Sequence, residues 1–187
     1  MENQKIQEKL RKLLKKERYE HTIGVMYTAA SLAMSHHAEI PLALKAGLLH
    51  DCGKYGTLKE QVERCKKHRI PLSDAELQMP SLVHAKLGVY YAQKRYETND
   101  PEILGAIRYH TTGRPDMTLL EKIIYIADYI EPGRREIPGL TEIRQMAFRD
   151  LDCTVCMVSE RTLEYLKAVG KEIDPLTVET CRYYNQR

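Results

Sequence analysis

The sequence predicts an all-α protein, and three observations carry that prediction. Apolar residues recur at helical spacing along almost the whole chain, and no stretch alternates with period two for long enough to make a strand. Breaks fall at Pro41, Gly53, Pro71, Pro80, Asp100-Pro101, Gly113 to Pro115, Pro132-Gly133 and Pro138-Gly139, which divides the chain into helix-sized pieces. At 187 residues, 43% hydrophobic and 29% charged, one core suffices, so residues 1–187 are expected to form a single domain.

The first helix, about 2–16, carries Ile6, Leu10, Leu13 and Leu14 on one face and charges of both signs elsewhere, as a surface helix packed on a core would. A second, 18–36, runs along a stripe of His21, Val25, Thr28 and Leu32, and a third, 41–52, carries the small residues Ala43, Ala46 and Gly47. Pro71 separates 58–68 from 73–78, and His84 sits one turn before Gly88 in the helix 82–97. Asp100-Pro101 and Asp174-Pro175 each read as an N-cap followed by proline at the first helical position, opening 100–110 and 175–185. Between them lie 118–130, which is strongly apolar, then 139–150 and 151–169, giving about nine to eleven helices in all.

Composition excludes several roles. No apolar run approaches the roughly 20 residues a membrane-spanning helix needs, and the basic N-terminus has no apolar core of a signal peptide. A formal net charge of +3 is too small to imply nucleic-acid binding. The odd number of cysteines, five, most of them in helical patterns, points to reduced thiols and a cytoplasmic protein. Cys153 and Cys156 form a CxxC without a neighbouring βαβ pattern, and are expected to be two core cysteines.

The informative residues are ionisable groups on apolar helix faces. "GLLHDCGK" places His50 and Asp51 directly after an apolar run, where an unpartnered charge would cost several kcal/mol. His21, His84 and His110 sit on the inward faces of three other helices, and Asp128 interrupts the apolar helix "LLEKIIYIADYIEP" on the stripe of Ile124, Ala127 and Glu131. Facing helices of a bundle commonly build metal sites in this way, and imidazole with carboxylate suits zinc, iron, manganese or nickel. His36, His37 and His68 lie at a helix end or in lysine-rich segments and are expected to be solvated.

The order His21 … His50-Asp51 … Asp128 resembles that of the HD superfamily of metal-dependent phosphohydrolases. The segments "RYEHTIGV", "AGLLHDCGK", "LVHAKLGVYYAQ", "AIRYHTTGRPDMTLLEKIIYIADYIEPGR" and "EIDPLTVETCRYY" resemble, in order, the YqeK family, described as symmetrical bis(5′-nucleosyl)-tetraphosphatases. The resemblance implies an HD-type helical bundle with a dinuclear centre. One divalent ion would be held by His21, His50, Asp51 and Asp128, and a second by Asp51, His84 and His110, with Asp51 bridging. Iron is the implied metal, and ligand type does not separate it from manganese or another transition ion.

The implied reaction is hydrolysis of diadenosine tetraphosphate to two nucleoside diphosphates, by attack of a metal-bound hydroxide on phosphorus. Lys54 and Arg134 would then offset phosphate charge, Thr111 could donate a hydroxyl hydrogen bond, and Arg114 and Arg135 are further candidates. Lys171, Ile173 and Pro175, in "GKEIDPLTVETCRYYNQR", are candidate nucleoside contacts. Another HD reaction stands as the alternative: nucleotidase, deoxynucleotide triphosphohydrolase or cyclic-dinucleotide phosphodiesterase. So does a catalytically silent nucleotide-binding regulator. A homodimer is compatible with either reading.

Overall fold

The computed structural model describes residues 1–186. These form eleven α-helices and a short 3₁₀ turn, with no strand among the described residues. The helices are α1 (Asn3–Leu13), α2 (Lys16–Ser35), α3 (Ile40–Leu49), α4 (Leu58–Lys67), α5 (Asp74–Gln78), α6 (Val83–Tyr96), α7 (Pro101–Tyr109), α8 (Leu119–Ile130), α9 (Leu140–Ala147), α10 (Leu151–Ala168) and α11 (Pro175–Asn185); the 3₁₀ turn is Pro80–Leu82. The ends are set by local chemistry. Asp100 accepts from the amides of Glu102 and Ile103, and Asp174 from that of Leu176, while Thr57, Ser73 and Thr118 form capping boxes with Glu60, Glu76 and Glu121.

Helices α2, α3, α7 and α8 form the centre: α3 packs against α2, α7 and α8, and α6 against α7. The packing of α2 on α3 depends on Gly47, where a Cβ would stand 2.8 Å from the Met26 Cα. Helix α1 lies on this core through Ile6, Leu10 and Leu14, which makes it a packed surface helix. Helices α10 and α11 pack on each other, and α10 also on α8.

Four expectations change. Helix α3 ends at Leu49, so His50 is its C-cap and Asp51 lies in the turn beyond. Gly53 is there for close approach and does not terminate the helix: a Cβ would meet the His84 carbonyl at 2.4 Å and the Gly88 nitrogen at 2.7 Å. The CxxC is not core, because Cys153 is exposed and Cys156 half-buried. Of the histidines expected to be solvated, only His37 is exposed. His36 Nε2 lies 2.7 Å from the Ala147 carbonyl, and His68 stacks on Tyr90 with centroids 4.4 Å apart. That ring belongs to a tyrosine cluster with Tyr55 and Tyr91, on which Arg64 and Arg95 lie as cations.

Candidate metal centre

The bundle centre brings His21, His50, Asp51, His84, His110 and Asp128 together from α2, the α3 end, α6, the α7 end and α8. Three of the imidazoles are aimed by one device. Nδ1 of His50 lies 2.7 Å from the Gly47 carbonyl, Nδ1 of His84 2.6 Å from that of Ser81, and Nδ1 of His110 2.8 Å from that of Ile107. A carbonyl only accepts, so each ring donates from Nδ1 and, when neutral, carries its lone pair on Nε2. For His50 and His110 the carbonyl is one left free by the last helical turn, which explains why both stand at C-caps. His21 is aimed by a carboxylate instead: its Nδ1 lies 3.0 Å from Glu131 Oε1, and Glu131 Oε2 accepts from the Gly133 amide at 2.6 Å.

Asp51 is 1% exposed and divides its two oxygens between two groups. Oδ2 faces Arg18 Nη1 at 2.9 Å, His50 Nε2 at 3.5 Å and His21 Nε2 at 3.9 Å. Oδ1 faces His84 Nε2 at 3.3 Å, His110 Nε2 at 3.5 Å and Lys54 Nζ at 3.6 Å. Asp128 adds to the Oδ2 side, with its Oδ1 2.9 Å from His21 Nε2 and 3.9 Å from His50 Nε2. The donor atoms of His21, His50 and Asp51 all lie within 4.8 Å of one another, and so do those of Asp51, His84 and His110.

The electrostatics keep Asp51 and Asp128 charged and His84 neutral. Burial pushes the Asp51 carboxyl upward, but His50, Lys54 and His110 outweigh it and hold it well below the carboxylate range. Asp128 is likewise held low, against burial, by His21, His50 and Arg134. Burial, helped by Lys54, pulls His84 down to about 4. His50 Nε2 and Asp51 Oδ1 are buried with no hydrogen-bond partner, so lone pairs converge without donors between them. A donor set of imidazole nitrogen and carboxylate oxygen in this state could hold a divalent metal.

Around the cluster, Arg134 donates from Nη2 to Asp128 Oδ1 and from Nε to the Asp128 carbonyl, both at 2.7 Å. Thr111 Oγ1 lies 3.1 Å from His110 Nε2 and 3.4 Å from His84 Nε2. Thr111 also lines a cavity of about 640 Å³ that includes Met79, Leu82, Leu166 and Lys171. Pro175 lines a neighbouring cavity of about 380 Å³, again with Thr111, and Ile173 is half-buried in the loop between. Arg114 is engaged elsewhere, 2.9 Å from Glu121 Oε2. Sequence reasoning passed over two residues that touch the cluster, Arg18 and Glu131. Each lies one helical turn from a named residue, at i−3 from His21 and i+3 from Asp128.

Residues 18–133 match the HD domain family. The symmetrical bis(5′-nucleosyl)-tetraphosphatase of Bacillus subtilis is 40% identical over 167 residues, covering 89% of each chain. The protein of that description from Staphylococcus aureus is 37% identical over 92% of this chain and 89% of its own. A crystal structure of a predicted HD superfamily hydrolase involved in NAD metabolism, from Clostridium acetobutylicum, superposes with a TM-score of 0.94 at 38% identity, covering 100% of this chain and 98% of that one. The chain therefore belongs to the HD domain family, in the branch represented by the symmetrical bis(5′-nucleosyl)-tetraphosphatases.

Proposed function

We propose that the protein hydrolyses dinucleoside tetraphosphates, diadenosine tetraphosphate foremost, symmetrically to two nucleoside diphosphates. The observation that carries the reading is Asp51, whose two oxygens face two separate imidazole groups. The names of the two bacterial relatives supply the substrate. His21, His50, Asp51 and Asp128 would hold one divalent ion, and Asp51, His84 and His110 a second. Iron is our assignment, and manganese fits the same donors. Bound there, such ions supply Lewis acidity and lower the pKa of water.

The chain's own residues do the rest. Asp51 and Asp128 stay ionised and balance cationic charge, while the carbonyl-anchored imidazoles fix where that charge sits. Lys54, a third exposed, points at Asp51 Oδ1 and from there reaches a phosphoryl oxygen, as Arg134 does from the Asp128 side. Thr111 offers a hydroxyl beside His84 and His110. In the net reaction a water oxygen bonds to one phosphorus and the central bridging P–O bond breaks. Its electron pair leaves with one nucleoside diphosphate, and a proton passes to solvent.

A thiol nucleophile does not compete. Cys52 is buried, burial pushes its thiol far up, and its Sγ donates to the Gly88 carbonyl at 3.3 Å. Lys171, Ile173 and Pro175 remain our candidates for the nucleoside, the first opening onto the Thr111 cavity. Product chromatography after incubating metal-loaded protein with diadenosine tetraphosphate tests the reading. ADP alone is expected, and loss of both metal and turnover in Asp51→Ala. AMP plus ATP, or no turnover with iron or manganese, overturns it.

A further inference from the structure

The metal centre stands between two cavities of different character. On the His84 and His110 side, Thr111 opens onto the larger one, with its apolar wall of Met79, Leu82 and Leu166. On the opposite side, His21, Arg18 and Arg134 open onto a cleft of about 340 Å³ that also includes Lys15 and Arg135. This second cleft has no apolar wall: four cations line it, against the carboxylates of Glu17 and Glu131. Glu131 is already engaged by His21 and the Gly133 amide.

Arg18 and Arg134 each spend part of a guanidinium on the cluster, on Asp51 and Asp128, and keep further N–H donors for a ligand. Lys15 and Arg135 are exposed and make no ion pair among the described residues. Lys15 is also the N-cap of α2 and makes no side-chain cap, so the free amides of that helix end add a weaker pull on an anion.

We infer that this basic cleft receives the second nucleoside diphosphate half of the dinucleotide, the half that departs. The inference rests on the proposed activity and deepens it. Cleavage in the middle of a tetraphosphate requires a nucleoside diphosphate on each side of the centre, and the protein has a cavity on each side. The two halves are read differently. The Thr111 cavity offers apolar surface for a base, whereas the cleft between Lys15 and Arg135 holds the phosphates by charge and is indifferent to the base.

The test is calorimetric titration of manganese-loaded protein with ADP, together with steady-state kinetics on diadenosine tetraphosphate. Wild type should bind two ADP per chain, and the double substitution Lys15→Glu/Arg135→Glu should bind one. In that variant KM should rise about tenfold while kcat stays within about twofold. A melting curve unchanged from wild type shows that the variant is folded, and Lys15→Ala/Arg135→Ala gives the same test at lower perturbation. One ADP in both proteins, or an unchanged KM, overturns this inference and leaves the proposed activity standing. Absence of ADP release by wild type overturns the activity itself, and this inference with it.

Discussion

Nε2 of His84 stands 3.0 Å from Nε2 of His110, while the Nδ1 of each ring is committed to a carbonyl. Two neutral imidazoles so anchored point lone pairs at each other, an arrangement that becomes favourable once a cation is shared. His84→Ala should therefore remove about one metal equivalent of two and leave the ion near His21 in place; His21→Ala should do the reverse. Elemental analysis of the purified variants measures this. Equal loss from both sides in each variant would mean that the two groups do not act as separate sites.

The depressed pKa of His84 has a stability consequence in the metal-free protein. Its folded value is about 4 against 6.5 for a free side chain, so between these values the unfolded chain binds a proton that the folded one does not. Stability is full above pH 6.5 and falls as pH drops towards 4, by on the order of 3 kcal/mol from this group. Asp51, whose pKa is also held low, adds a loss below the carboxylate range, in the same direction. Melting temperatures of chelator-treated protein between pH 7 and pH 4.5 should show the fall, and His84→Gln should flatten it. Parallel curves for the two proteins would contradict the assignment.

Glu131 is a positioning residue. It touches no other member of the cluster than His21, yet it fixes which His21 nitrogen faces inward and is itself tied to the Gly133 amide. Glu131→Gln keeps the shape and removes the negative charge held 3.0 Å from His21 Nδ1. Affinity for the ion on the His21 side should fall by about 10- to 100-fold. Competition with a chelating indicator reads this directly, while the melting temperature of the metal-free protein should change little. A structural role alone would move the second quantity and spare the first.

How far the site was legible in the sequence depends on the kind of signal. Ionisable residues on apolar faces stand out, so His21, His50, His84, His110 and Asp128 were visible as misfits in a periodic pattern. Arg18 was not, because a charged residue near a helix end fits a solvated surface equally well, and Glu131, although on the stripe of Asp128, showed no partner in the sequence. Only the fold shows that Arg18 reaches Asp51 and that Glu131, at 3% exposure, faces His21. The CxxC misled for a related reason: spacing i, i+3 places two residues on one face but does not say which face is covered. Gly53 showed the opposite limit, since a glycine after an apolar run reads as a helix stop. Its backbone contact with α6 is tertiary and leaves no trace in local pattern.

That contact allows a prediction about the whole centre. A Cβ at Gly53 would stand 2.4 Å from the His84 carbonyl and 2.7 Å from the Gly88 nitrogen, both backbone atoms of α6. Neither can swing aside as a side chain would, so Gly53→Ala must push α6 away from the turn that carries Asp51. The cost should be about 1–3 kcal/mol, as for other overpacked positions. Because His84 rides on α6, metal on the His84 and His110 side should be lost before metal on the His21 side. Gly170→Ala supplies the comparison. Its φ is +63° with nothing within 4 Å, so it should cost about 1 kcal/mol through backbone strain and leave metal content untouched. Urea unfolding with metal analysis on both variants separates the two. If Gly53→Ala bound both ions like wild type, the turn and α6 would be less tightly coupled than their geometry requires.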